Sequence, residues 1–91
     1  MPEVVFIVQL PDGMTKECYS PSTVVCSHFR QGEEMSVGEF LARSRKAFPA
    51  ASERVRAKFG FACSSAAAQL ENIEEWTRAY ATDATIRILH I

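Results

Sequence analysis

The run Glu3–Leu10, EVVFIVQL, followed at once by Pro11-Asp12-Gly13, limits what this chain can fold into more than any other feature. β-Branched and aromatic side chains favour a pleated, extended backbone. Pro11 presets φ, Asp12 supplies a turn-forming carboxylate and Gly13 is free to take positive φ, so the chain is expected to reverse and return as a second strand over Met14–Ser20. Along the first strand Val4, Phe6, Val8 and Leu10 fall on one face and Val5 and Ile7 on the other. Both faces read as covered, as in a central strand. Lys16 and Glu17 make the second strand more polar, which suits a sheet edge.

Past the hairpin the periodicity changes. Ser20-Pro21 has the form of an N-cap followed by proline at the first helical position, while Thr23, Val24 and Val25 would equally accept an extended path, so Pro21–Ser27 stays open between helix and strand. Gln31-Gly32 reads as a turn. Ser36-Val37-Gly38-Glu39 matches a capping box, and a helix should start there. Its apolar stripe is Val37, Phe40, Leu41, Ser44 and Phe48, with Glu39 and Arg43 paired at i,i+4 on the wet side and Pro49 expected to close it. A second helix over Ala50–Phe59 would turn Ala51, Val55 and Phe59 to one face, and Gly60 sits where a left-handed residue ends many helices. Phe61 should point back to the core. Ser64 can cap a third helix to about Ala81, striped by Ala66, Leu70, Ile73, Thr77 and Tyr80 with Trp76 beside it and Glu71, Glu74 and Glu75 outside. Thr85–Ile91 alternates as a closing strand. The order predicts a single α+β domain over residues 1–91: a small, mostly antiparallel three-stranded sheet of hairpin plus C-terminal strand, covered on one face by about three helices.

With 47% hydrophobic and 23% charged residues, this chain has the make-up of a folded protein and not of a disordered one. A net charge of −1 gives no global pull toward nucleic acid or an anionic membrane. No apolar run approaches the ~20 residues of a membrane span, and Met-Pro-Glu-Val-Val has no secretory character, so a cytoplasmic location is expected. Cys18, Cys26 and Cys63 are odd in number, and free thiols follow in a reducing compartment. Cys26-Ser27-His28 puts a thiol and an imidazole close together, but a structural zinc site needs two tight ligand pairs, and no CxxC occurs; no metal or cofactor is expected. No glycine-rich phosphate loop is present either.

The one strong local charge pattern is Arg43, Arg45, Lys46, Arg54, Arg56 and Lys58, six of the ten basic residues within sixteen positions, against Glu53 alone. Such a run is either a solvated helical face or a docking surface for an acidic protein. Nucleic acid is the weaker reading, because the interleaved Phe48 and Phe59 are better explained as core.

Three stretches carry a family resemblance: Cys18-Tyr19-Ser20-Pro21-Ser22, then Phe40 through Arg43-Ser44-Arg45, then Ala51-Ser52-Glu53-Arg54-Val55-Arg56-Ala57-Lys58-Phe59-Gly60-Phe61-Ala62-Cys63-Ser64. Together with the length and the opening strand and turn, they resemble the small bacterial nitrogen starvation response proteins of about 90 residues encoded in nitrilase-centred gene clusters. The resemblance implies a role in nitrogen limitation beside a nitrilase, a radical SAM protein, an acetyltransferase-like protein and a flavin-dependent oxidoreductase, in clusters linked to cyanide or nitrile assimilation. It carries over no catalytic residue. This chain departs from the pattern at Phe59, where tyrosine is usual, and Cys26-Ser27-His28 lies outside the motifs. The function expected is that of a non-enzymatic accessory protein docking a partner from its gene cluster through the basic helical surface, with a homodimer possible through an exposed sheet edge. The competing class is an enzyme or thiol carrier acting on a reactive nitrogen compound through Cys63, before the helix at Ser64, or Cys18; both are equally readable as small core residues.

Overall fold

A computed structural model describes residues 3–60 and 64–91. The hairpin is present as β1 (Val4–Gln9) and β2 (Thr15–Ser20), with Val4 opposite Ser20 and Gln9 opposite Thr15. Gly13 takes φ 89°, and Asp12 Oδ1 accepts the Met14 N–H at 3.0 Å, so each turn residue does what its chemistry suggests. A short 3₁₀ turn at Thr23–Ser27 resolves the open segment, and its cap is Ser22, whose Oγ accepts the Val24 N–H, not Ser20. Ser20 is buried and donates instead to the Ser22 carbonyl.

Among the described residues the sheet has four strands, not three. Glu34–Ser36 forms β3, which pairs antiparallel with β4 (Thr85–His90), and β4 pairs antiparallel with β1, giving the order β2-β1-β4-β3. β3 carries no sequence signal of its own, because three residues with one inward side chain, Met35, have no readable period. β2 is an edge strand and β1 is interior, as expected.

Among the described residues the α-helices number two, not about three. α1 runs Val37–Phe59 straight through Pro49, and α2 runs Ser64–Thr77. Proline costs a helix interior ~3 kcal/mol and deprives the Arg45 carbonyl of its donor. Burial of Ala47, Phe48 and Ala51 on both sides of Pro49, while Pro49 itself faces water, keeps the helix continuous. The start follows the sequence signal: Ser36 Oγ accepts the Glu39 N–H at 3.1 Å. The Glu39 carboxylate turns to Arg43, so only half of the capping box forms. Gly60 ends α1 at φ 82°. α2 stops four residues short of Ala81, at Thr77, whose hydroxyl bonds the Ile73 and Glu74 carbonyls. Phe61 and Cys63 lie outside the described residues.

Both helices pack on the side of the sheet that carries Phe6, Val8, Cys18, Ile86 and Ile88. Rings run in contact from Phe48 through Phe6, Phe29 and Phe40 to Trp76, with centroids 5.2–6.3 Å apart, and join strand, 3₁₀ turn and both helices. The opposite face of β1 is not covered: Val5 is 45% exposed. Among the described residues no helix is long and apolar enough to cross a membrane.

Candidate functional site

α1 is about 34 Å long at 1.5 Å per residue, more than the ~20 Å length of a six-residue strand or the ~19 Å breadth of four strands. It therefore extends past the sheet, and all six candidate cations ride on it. At about 100° per residue, Arg43 and Arg54 lie on one side of the buried stripe of Val37, Phe40, Ser44, Ala47, Phe48, Ala51 and Val55, Arg45 and Arg56 lie on the other, Lys46 stands on the solvent side midway between Arg54 and Arg56, and Lys58 is in phase with Phe40. The six cations are one run in the sequence, and the helix spreads them around its exposed side.

Neighbouring carboxylates divide them further. Arg43 Nη1 donates to Glu33 Oε2 at 2.9 Å and to the His28 carbonyl at 3.1 Å, and its Nε donates to Glu39 Oε1 at 2.9 Å. These bonds hold the Glu33 carboxyl below its ordinary range, chiefly through the guanidinium, and raise Arg43 further. Arg43 is thus a clamp between the 3₁₀ segment, the Gly32 turn and α1. Arg45 Nη2 meets Glu74 Oε2 of α2 at 3.0 Å, and Arg56 lies 3.9 Å from Glu53. Glu33 and Glu74 were not recognisable as partners from the sequence, where they stand 10 and 29 residues from their arginines.

Lys46 and Arg54 differ from these. Both are exposed, and no ion pair joins either to a carboxylate among the described residues. Lys46 also borders an open polar cavity of ≈ 460 Å³ lined by His28, Arg30 and Arg43 together with the acids Glu33 and Glu39. Lys58 is exposed in the last turn.

The thiols divide as well. Cys18 stands opposite Phe6 on the core face of β2 and is 1% exposed. Burial pushes its thiol up to about 12, from an ordinary 9.0. A thiolate is the nucleophile, and neither ionisation nor access is available here at neutral pH, so Cys18 is a small core residue and not a reactive one. Cys63 lies outside the described residues. Cys26 is free and exposed. Among the described residues no group of three His, Cys, Asp or Glu side chains is placed to hold a metal ion.

Fold and surface together define a small α+β protein with one helical layer on a four-stranded antiparallel sheet and a divided basic helix. A family model described as nitrogen starvation-induced protein NitG matches residues 5–91. The chain belongs to that family, and its role lies in the response to nitrogen starvation. No curated protein and no solved structure gives a significant match.

Proposed function

We propose that the protein is a non-enzymatic accessory component of the nitrogen starvation response that docks an acidic partner protein along the Lys46–Arg54 flank of α1. The carrying observation is the asymmetry of that helix. Arg43, Arg45 and Arg56 already face carboxylates, whereas Lys46 and Arg54, about 12 Å apart along the axis, offer their charge to solvent. Uncompensated cations along one rigid helix steer and orient an oppositely charged surface. The partner belongs to the nitrilase-centred gene cluster that the family resemblance implies, which ties the docking to cyanide or nitrile assimilation.

The test is copurification with each protein of such a cluster, co-expressed one at a time. Lys46→Glu combined with Arg54→Glu is expected to abolish capture while leaving thermal stability within about 0.5 kcal/mol, as for exposed surface positions. Arg56→Glu, at a position already beside the Glu53 carboxylate, is expected to retain it. Capture by wild type should weaken between low salt and about 0.5 M salt, where screening is short-ranged. Undiminished capture by the double variant overturns the proposal.

A further inference from the structure

The polar cavity beside Lys46 lies where three parts of the chain meet: the end of the 3₁₀ segment at His28 and Arg30, the Gly32 turn at Glu33, and the first half of α1 at Glu39, Arg43 and Lys46. Its ≈ 460 Å³ fall within the roughly 300–1,000 Å³ of small-molecule sites. Three bases and two acids line it, so what it can hold depends on which charges are already spent. Arg43 is the fixed member. Its Nε and Nη1 donate to Glu39, Glu33 and the His28 carbonyl, while Nη2 has no acceptor among the described residues. A guanidinium held by three bonds has little freedom left to lose, and its remaining edge is presented in a set direction. Glu33 is fully engaged, with Oε2 on Arg43 and Oε1 on the Arg30 N–H at 3.3 Å. Glu39 is half engaged: Oε1 accepts from Arg43, and Oε2 has no donor among the described residues. Arg30 and Lys46 are exposed, and no ion pair among the described residues includes either.

We infer that this cavity binds an acidic amino acid, a small zwitterion with two carboxylates and one ammonium group. Setting Arg43 against Glu33 leaves two cations, Arg30 and Lys46, and one acid, Glu39, and such a molecule mirrors that remainder. Its carboxylates pair with Arg30 and Lys46, with the Nη2 edge of Arg43 available to one of them, and its ammonium pairs with Glu39 Oε2. The singly negative ligand also offsets the single positive charge of the lining. A dicarboxylate without the ammonium would set Glu39 against like charge, and a simple amine would face the two cations. Because these side chains are exposed or half-buried, solvent screens every pair, and an affinity of about 1 mM is expected. Lys46 borders both this cavity and the docking surface, so Arg30 and Glu39 are the decisive positions here, probed in the chain alone. Failure of either proposal then leaves the other standing.

Amide NMR shifts of the full chain, titrated with L-glutamate to about 20 mM at constant ionic strength, test the inference. Saturable shifts are expected around His28–Glu33 and Glu39–Lys46. Glutarate, which lacks the ammonium, and L-glutamine, which lacks the second carboxylate, should each bind at least about fivefold more weakly. Arg30→Gln, at an exposed position, should weaken L-glutamate about tenfold while the spectrum stays that of the folded protein. Glu39→Gln keeps an oxygen to accept from Arg43 Nε and loses the charge, so it should weaken L-glutamate and not glutarate. No saturable shift with L-glutamate, shifts centred elsewhere, glutarate bound as tightly as L-glutamate, or an affinity unmoved by Arg30→Gln each overturns the proposal.

Discussion

The two halves of α1 belong to one uninterrupted helix and are stabilised differently. From Val37 to Phe48 it lies in the main core, where Phe40 and Phe48 interlock with Phe6, Phe29 and Trp76. Beyond Pro49, Ala51 and Val55 are buried, yet neither joins that core; across from this half, Ala66, Ala67 and Leu70 of α2 line a shallow groove with Pro49 and Ser52. The charges do not follow that division: in the sheet-backed half Arg43 and Arg45 are bonded to acids on other elements while Lys46 beside them meets none, and in the far half Arg56 meets its own helix neighbour Glu53 while Arg54 meets none. Packing thus separates the two ends of the helix, and unpaired charge occurs on both.

The largest expected effect tests that division directly. Phe40→Ala should cost about 3–5 kcal/mol, since it opens a void between Phe29 and Trp76, whereas Val55→Ala should cost about 1–2 kcal/mol for two methyl groups at the margin. Urea midpoints of the two variants measure the difference. Equal losses would mean that the far half is as much a part of the core as the near half.

Next in size is Pro49→Ala. The substitution restores a donor to the Arg45 carbonyl and removes the ring that crowds it, and is expected to stabilise the protein by about 1–3 kcal/mol, read as a rise in Tm. Amides from residue 50 onward in α1 should exchange more slowly as well. A fall in Tm would show that α2 packs against a bend set by the proline, and that the two halves of α1 are not separable.

Pro49 also marks where the sequence stopped being legible. Ending a helix there follows a sound local preference, and the preference lost because Phe48 and Ala51, on either side, are buried on one stripe. Signals that act within a few residues were readable: the Pro11-Asp12-Gly13 turn, the Ser36 cap, the Glu39–Arg43 pair and Gly60. β3 was not, because a three-residue strand exists through its partner β4 and not through its own pattern. The basic run was legible as a charge pattern and illegible as a surface. Helical phase separates its members, and Glu33 and Glu74 neutralise two of them through tertiary contacts. Cys18 was read both ways until its position opposite Phe6 decided it.

The smallest expected effect concerns the end of the molecule away from Gly60. Tyr80, just past α2, donates its phenol to Asp12 Oδ2 at 2.9 Å and so ties the helical layer to the hairpin turn. The Met14 N–H first, and the Tyr80 hydroxyl second, hold the Asp12 carboxyl below its ordinary 3.8, while the bond to Asp12 raises the phenol above its ordinary 10.0. The signs set a window. A depressed carboxyl stabilises the fold above its unfolded value, and that contribution is lost as pH falls through the folded one. A raised phenol stabilises below its unfolded value, and that contribution is lost as pH rises through the folded one. Tyr80→Phe removes the bond and leaves the ring, so its Tm should lie slightly below that of wild type by a constant amount between about pH 5 and 9 and converge with it at both extremes. A difference that ignores pH would assign Tyr80 to packing alone, and the sheet-backed end would then be held by its apolar core without help from the surface.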